Sequence, residues 1–274
     1  MKSSTSILTK RPLSRRAENG AHGDRLAGRV ILASFSVFVG LLIWQFASTQ
    51  ISPFFLPSPL ATLEAAIELA ADGTLFASAV ASLKRIGLGW GLGVIVGVPV
   101  GILMGYFRFV RQLLEPYIEF FRFVPPIAFV TLAVIWLGPG ETSKVALIFY
   151  ATVFIIVINM IAGVMSVSEL RLRAAASLGA NPLQILLTVI VPSTAPFMVT
   201  GARLAMGNSF LTVVSAEIVA AQEGIGALIW TARNYGRTEW VFVGIIMLGI
   251  LGFLSDQLVR KCAQHFLKRY GVTV

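Results

Sequence analysis

Apolar residues in this chain gather into six long blocks, near 30–47, 86–107, 120–137, 145–165, 195–216 and 240–259, separated by polar, basic or Pro/Gly-rich stretches. A hydrocarbon core about 30 Å thick takes roughly 17 to 25 residues of helix to cross, so the pattern predicts an all-α, polytopic membrane protein with about six transmembrane helices. The predicted organisation is a basic, aperiodic N-terminal arm over 1–29 and a first membrane anchor over 30–47. An outer segment over 48–78, a helical membrane core over 79–262 and a tail over 263–274 follow.

The connections carry their own patterns. In the outer segment, Ser58 is placed as an N-cap and Pro59 at the first helical position. Leu60, Leu63 and Ile67 then line one apolar face up to Asp72-Gly73, which predicts a short helix along the outer surface. The second span repeats glycine every fourth residue, at Gly89, Gly93, Gly97, Gly101 and Gly105. Small residues at that interval cut one groove along a helix and let another backbone come close. Two readings stand, helix packing within the chain and a sliding surface, with packing the simpler. Pro125-Pro126 is expected to bend or interrupt the third span, and Gly224-Ile225-Gly226 to break the chain before 227–235, which can form a short helix; the sequence leaves open whether that helix dips inward as an outer gate.

A polar segment, 166–192, lies between the fourth and fifth spans. Ala174-Ala175-Ala176 favours helix, Gly179 closes it, and Asn181-Pro182 starts another that runs to Val191-Pro192, so a helix, a sharp turn and a helix are expected to project as a knob. Its side follows from charge. Fifteen Lys and Arg residues lie in the N-terminal arm, the second-to-third loop, the knob and the tail, against five (Lys84, Arg85, Lys144, Arg233 and Arg237) in the opposite connections. The positive-inside rule then puts both termini and the knob in the cytoplasm.

Composition agrees and removes whole classes. With 56% hydrophobic and 13% charged residues and a mean hydropathy of +0.82, the chain has too little polar residue to clothe a water-soluble fold of this length. The net charge of +9 is dispersed over loops and span ends without interleaved aromatics, which is no nucleic-acid footprint. Gly138-Pro139-Gly140-Glu141-Thr142-Ser143-Lys144 lacks the Gly-Lys-Ser/Thr of a phosphate loop, and His22, His265 and the single Cys262 offer no metal spacing. No enzyme, metal or cofactor is expected. None of the thirteen acidic residues falls at mid-depth in the expected spans, and Glu119, Glu217, Glu239 and Asp256 lie near span ends. That weakens an ion-driven carrier and leaves energy supplied by a partner.

The knob resembles the cytoplasmic coupling loop of permease subunits of bacterial binding-protein-dependent ABC importers. That loop reads Glu-Ala-Ala, three residues, Gly, then an apolar helix ending in Leu-Pro. Here Ala174-Ala175, Gly179 and Val191-Pro192 match, and Arg173 stands where the family has Glu, which leaves Glu169 as the acid one turn away. Within that class the chain is most similar to nitrate, taurine and alkanesulfonate permeases. The likeness rests on Leu56-Pro57-Ser58-Pro59, Ser82-Leu83-Lys84-Arg85-Ile86-Gly87, Arg122-Phe123-Val124-Pro125-Pro126-Ile127-Ala128, Gly201-Ala202-Arg203-Leu204-Ala205-Met206-Gly207 and Ala216-Glu217-Ile218-Val219-Ala220.

The resemblance implies a type I ABC importer permease fold in a bacterial plasma (inner) membrane. It implies as partners a second permease copy, as a homodimer, with cytosolic ABC ATPase subunits and an extracytoplasmic solute-binding protein. The cargo is a small anion, with an aromatic acid or a thiamine precursor as alternatives, and ATP hydrolysis falls to the separate ATPase. Glu169, Arg173, Ala174, Ala175, Ser177, Gly179, Ala180 and Pro192 become the residues expected to couple to it. A membrane anchor or assembly protein without a pathway is the reading from another class.

Candidate pathway residues are few. Asn208, Thr212 and Ser215 follow Ala205 at helical spacing on the fifth span and face either a water-filled path or a neighbouring helix. Arg122, at the start of the expected third span, is a fourth candidate, while Arg203 suits a snorkelling or interhelical role. Lys84 and Arg85, basic at the outer mouth, either draw an anion inward or anchor a helix end.

Overall fold

The computed structural model describes residues 15–267, all of whose regular structure is helical: α1 (Arg15–Gln50), α2 (Pro59–Ala71), α3 (Thr74–Tyr106), α4 (Arg108–Phe121), a 3-10 turn (Pro126–Phe129) and α5 (Val130–Leu137), then α6 (Glu141–Met165), α7 (Glu169–Ser177), α8 (Pro182–Ile185), a π-helical turn (Leu186–Ile190), α9 (Val191–Ala220), α10 (Ile225–Asn234) and α11 (Thr238–Leu267). Five stretches are long and apolar enough to cross a membrane, and six if the bent pair Arg108–Phe121 and Pro126–Leu137 counts as one span. The chain divides into two compact units at Leu60.

In the first unit, α1 begins at Arg15, inside the stretch expected to be an aperiodic arm, and runs on into the first span. Lys2, Lys10 and Arg11 of that arm, like Lys268 and Arg269 of the tail, lie outside the described residues. The apolar side chains along the span, Phe35, Phe38 and Phe46 among them, are mostly exposed, as suits a helix bathed in lipid.

The second unit is built on α3, α6 and α9. The glycines of α3 oppose a matching row on α6: a Cβ placed on Gly89 would lie 2.5 Å from Ile148, and one on Gly93 would fall on Thr152. Gly97, Gly101 and Gly105 stand likewise against Ile156, Met160 and Val164. Both rows repeat every four residues and rise in the same order, so α3 and α6 run parallel, and the segment between them must return across the membrane. α9 runs the other way, with Gly163 against Phe197 and Gly201 against Asn159. The Trp90 indole N–H donates to the Ala202 carbonyl (2.8 Å) and ties α3 to α9. Ile86, Ile148, Met206, Phe210 and Val213 close the core where the three helices meet.

Four expectations need correction. The third span breaks where Pro125-Pro126 led us to expect, with a turn of 89° between Arg108–Phe121 and Pro126–Leu137, but it begins at Arg108 instead of 120. Two successive prolines supply no N–H to the ladder there, and the Phe121 carbonyl accepts from the Tyr150 hydroxyl (2.6 Å) and from Val124 N–H (3.1 Å). The knob's second helix does not end at Val191-Pro192. Pro182–Val219 runs as one 38-residue element, with the π turn at Leu186–Ile190 just ahead of Pro192, a geometry that shifts the hydrogen-bond register where a proline lacks its donor. The buried side of α2 is Thr62, Ala65 and Leu69, of which Ala65 and Leu69 pack with Leu228 and Val243, whereas Leu60, Leu63 and Ile67 are exposed. Finally, α3 begins at Thr74, so 74–78 belong to the second span's helix instead of the outer segment.

Candidate functional site

Three places along the helical core hold the chemistry. At the knob, α7 is stopped by a Schellman arrangement: Ala180 N–H donates to the Ala175 carbonyl (3.1 Å), Gly179 N–H to that of Ala176 (2.9 Å), and Gly179 sits at φ +82°, a left-handed conformation that costs glycine little. The next turn is locked by a capping box in which Asn181 and Gln184 each bond the other's backbone N–H (2.8 and 2.9 Å). The elbow is thus rigid, yet α7 has no buried residue. Leu170 and Leu178 are 79% and 89% exposed. Arg173 and Glu169 pair at 2.6 Å, both largely exposed, and the Ser177 hydroxyl donates to the Arg173 carbonyl. Ala174 and Gly179 are exposed; Ala175, Ala180 and Pro192 are half-buried. Arg171, Ala174, Thr188 and Pro192 line a groove of about 680 Å³ beside the knob.

Midway across, the break between α4 and α5 opens a cavity of about 350 Å³ lined by Arg122, Phe123, Pro125, Tyr150 and Asn208 among others. The Arg122 guanidinium lies over the Phe123 ring at 4.5 Å and pairs with Glu119 at 2.7 Å. The Asn208 amide donates to the Ala151 carbonyl on α6 (2.9 Å). Of the four pathway candidates, Asn208 and Arg122 meet here. Thr212 is buried and donates to the Asn208 carbonyl; half-buried Ser215 is not among the lining residues.

At the end of the core opposite the knob, a charged network that the sequence reading missed joins α3, α6, α9 and the entry to α10. Glu217, fully buried, accepts from the Ser82 hydroxyl (2.8 Å), Arg85 Nη1 (2.6 Å) and Gly226 N–H (2.8 Å). Arg85 also binds Glu141 through Nε and Nη2 (2.6 and 2.8 Å) and donates to the Glu223 carbonyl (2.6 Å). Lys144 completes the set on Glu141 at 2.9 Å. Ser82 Oγ in turn accepts Ile225 N–H (2.9 Å). Two cations and two anions balance, which is the condition for keeping a carboxylate in a dry interior. Gly224, at φ +131°, leaves the space the Glu217 carboxylate fills. So Arg85 is neither a free anion lure nor a simple anchor, while Lys84 beside it is exposed. The available signal was a basic residue against the positive-inside trend, with an acid near the outer end of a later span.

Two further pairs fasten neighbouring elements. Arg203 on α9 grips Asp256 on α11 through two bonds of 2.8 Å, an interhelical role. Arg237, before α11, pairs with Glu239 and, at 3.0 Å, with Glu68 of α2. The hydrogen bond to Glu239 holds its guanidinium above the ordinary arginine range.

With the geometry in view, relatives are informative. The chain is 39% identical over 253 residues to the taurine transport system permease protein TauC of Escherichia coli, covering 90% of this chain and 92% of that one. It is 30% identical over 240 residues to the nitrate import permease protein NrtB of a Synechocystis strain, covering 84% and 87%. Its fold matches a chain of the inward-facing MetNI methionine ABC transporter with a TM-score of 0.57 at 17% identity, over 70% of this chain and 97% of that chain. A family model described as the binding-protein-dependent transport system inner membrane component matches residues 97–268. The chain therefore belongs to the family of inner membrane components of binding-protein-dependent transport systems.

Proposed function

We propose that this chain is the permease subunit through which a small anion of the taurine, alkanesulfonate or nitrate kind enters the cell, driven by ATP hydrolysed on a separate subunit. The observation that carries the reading is the knob. A rigid elbow with two exposed leucines outside the apolar spans is costly in water unless a partner covers it, and a surface of that kind marks a docking site. Its position between α6 and α9 ties it to both core helices, so a push on the knob moves the spans as a block.

In this reading two copies pair as a homodimer, both termini and the knob face the cytoplasm, two ABC ATPase subunits seat the knobs, and a solute-binding protein delivers cargo at the outer face. Residues 174–180 make the contact with the ATPase. The relatives named for taurine and nitrate support a cargo that carries a sulfonate or nitrate oxyanion group. Co-expression with an ATPase and binding protein of this transport class, followed by reconstitution into proteoliposomes, tests the assignment. Uptake of radiolabelled taurine or nitrate should require ATP on the knob side and binding protein on the other. Uptake sustained by a proton gradient without ATP would contradict it.

A further inference from the structure

The cavity at the break in the third span holds more than its apolar surroundings need. Tyr150 lies nine residues into α6 and Asn208 twelve residues from the outer end of α9, or about 14 and 18 Å along helices rising 1.5 Å per residue. Against a hydrocarbon core about 30 Å thick, both sit near mid-depth, and Arg122, which lines the same cavity, sits there with them. Arg122 therefore leaves the span-end position expected for it. Its side chain is 34% exposed and that of its partner Glu119 51%. A charged pair turned toward lipid tails at that depth is costly, whereas one turned toward a water-filled path is sustained.

We propose that Arg122 and Asn208 form a transient mid-membrane binding site for the oxyanion group of the transported solute, with Glu119 as an exchangeable counter-ion that occupies the guanidinium between solutes. This rests on the permease reading above and names the site within it. A planar guanidinium matches a sulfonate, nitrate or carboxylate in two-point geometry. Phe123, stacked on one face of Arg122, keeps the fork's orientation and leaves its edge for ligands. Glu119 holds that edge through a bond from Arg122 Nη2 to its Oε2 at 2.7 Å, so an arriving anion replaces a carboxylate contact instead of finding a bare charge. Competition of this kind keeps binding weak enough for the solute to leave, which conduction requires. Asn208 spends one amide hydrogen on Ala151, which leaves its second hydrogen to donate to an oxygen of the solute.

The test uses the complete transporter, permease with ATPase and binding protein, in proteoliposomes, with taurine, ethanesulfonate and nitrate as probes. Uptake and ATP hydrolysis are read together. Arg122→Gln should cut uptake of the transported probe about tenfold or more, the loss expected when a charge-assisted contact is removed, while hydrolysis stimulated by the binding protein stays near wild type. Fewer solutes then move per ATP, a ratio that a merely structural defect would not change. If Arg122→Gln fails to assemble with the ATPase, Arg122→Lys carries the test: the charge without the planar fork should assemble and move several-fold less solute per ATP. Wild-type solute-per-ATP in whichever variant assembles would overturn the site and leave the permease reading standing. Absence of ATP-driven uptake of any probe by the wild type would overturn that reading and the site with it.

Discussion

The two ends of the α3–α6–α9 core solve opposite problems. Opposite the knob, Arg85, Lys144, Glu141 and Glu217 satisfy one another within the chain, with Ser82 and the first turn of α10 filling the remaining lone pairs. At the knob, α7 buries none of its residues. One end is finished within the chain; the other, in the function proposed above, is shaped for a surface that the ATPase supplies. The geometry also bears on whether residues 224–235 act as an outer gate, which the sequence left open. The start of α10 is stitched to α3 and α9 through Ser82 and Glu217, so outward opening is expected to flex at the Phe121–Pro126 break.

If the charged network carries stability and the knob carries coupling, substitutions at the two ends should separate cleanly. The largest effect is expected from Arg85→Ala, which leaves the buried Glu217 carboxylate without its cation. Breaking such a pair costs about 3–5 kcal/mol, seen as loss of folded protein in the membrane or a sharply lowered Tm in detergent. The double variant Arg85→Met with Glu217→Leu should recover much of that loss, because a matched apolar pair leaves no orphan charge.

Next comes the α3–α6 seam. Gly93→Leu drives a side chain into Thr152, and overpacking of this kind costs about 1–3 kcal/mol. Gly87→Ala, where a new Cβ meets nothing within 4 Å, should be neutral or stabilising by about 0.5–1 kcal/mol, since alanine suits a helix better. Thermal melting of the two variants reads the difference.

At the knob, Gly179→Asp and Gly179→Asn form an informative pair. Asn and Asp bear the left-handed conformation best among non-glycine residues and the site is open, so both variants should reach the membrane with a Tm lowered modestly and to a similar degree. Only the aspartate introduces charge into the expected ATPase contact, and it alone should abolish uptake. The smallest effect is assigned to Glu169→Gln. Its pair with Arg173 is exposed, and such i,i+4 pairs contribute about 0.3–0.5 kcal/mol, so a melting curve should barely move.

Much of this was legible from the chain because membrane helices obey strong local rules. The glycine repeat named its own face, since a period of four has one geometric meaning on a helix. Gly179 and Asn181-Pro182 located the elbow through backbone conformation alone. The rest depended on partners far apart in sequence. Ser82 and Glu217 are separated by 135 residues, and neither carries a local pattern announcing the other. Arg122 was assigned to the wrong depth because the third span was expected to start at 120, whereas α4 already begins at Arg108 and places Arg122 at the break that Pro125-Pro126 signalled. The face of α2 was misread for a related reason: beside lipid, an exposed leucine satisfies the same pattern as a buried one.

The central claim is that residues 174–180 transmit motion from an ATPase, and disulfide trapping tests it most directly. In a Cys262→Ala background, a cysteine replacing Leu178, 89% exposed, is paired with single cysteines placed around the cleft of the co-expressed ATPase. The account predicts an oxidant-dependent crosslink that stops uptake, with transport restored by reductant. Full ATP-driven uptake with no crosslink to the ATPase from Leu178 or any position between 174 and 180 would contradict it.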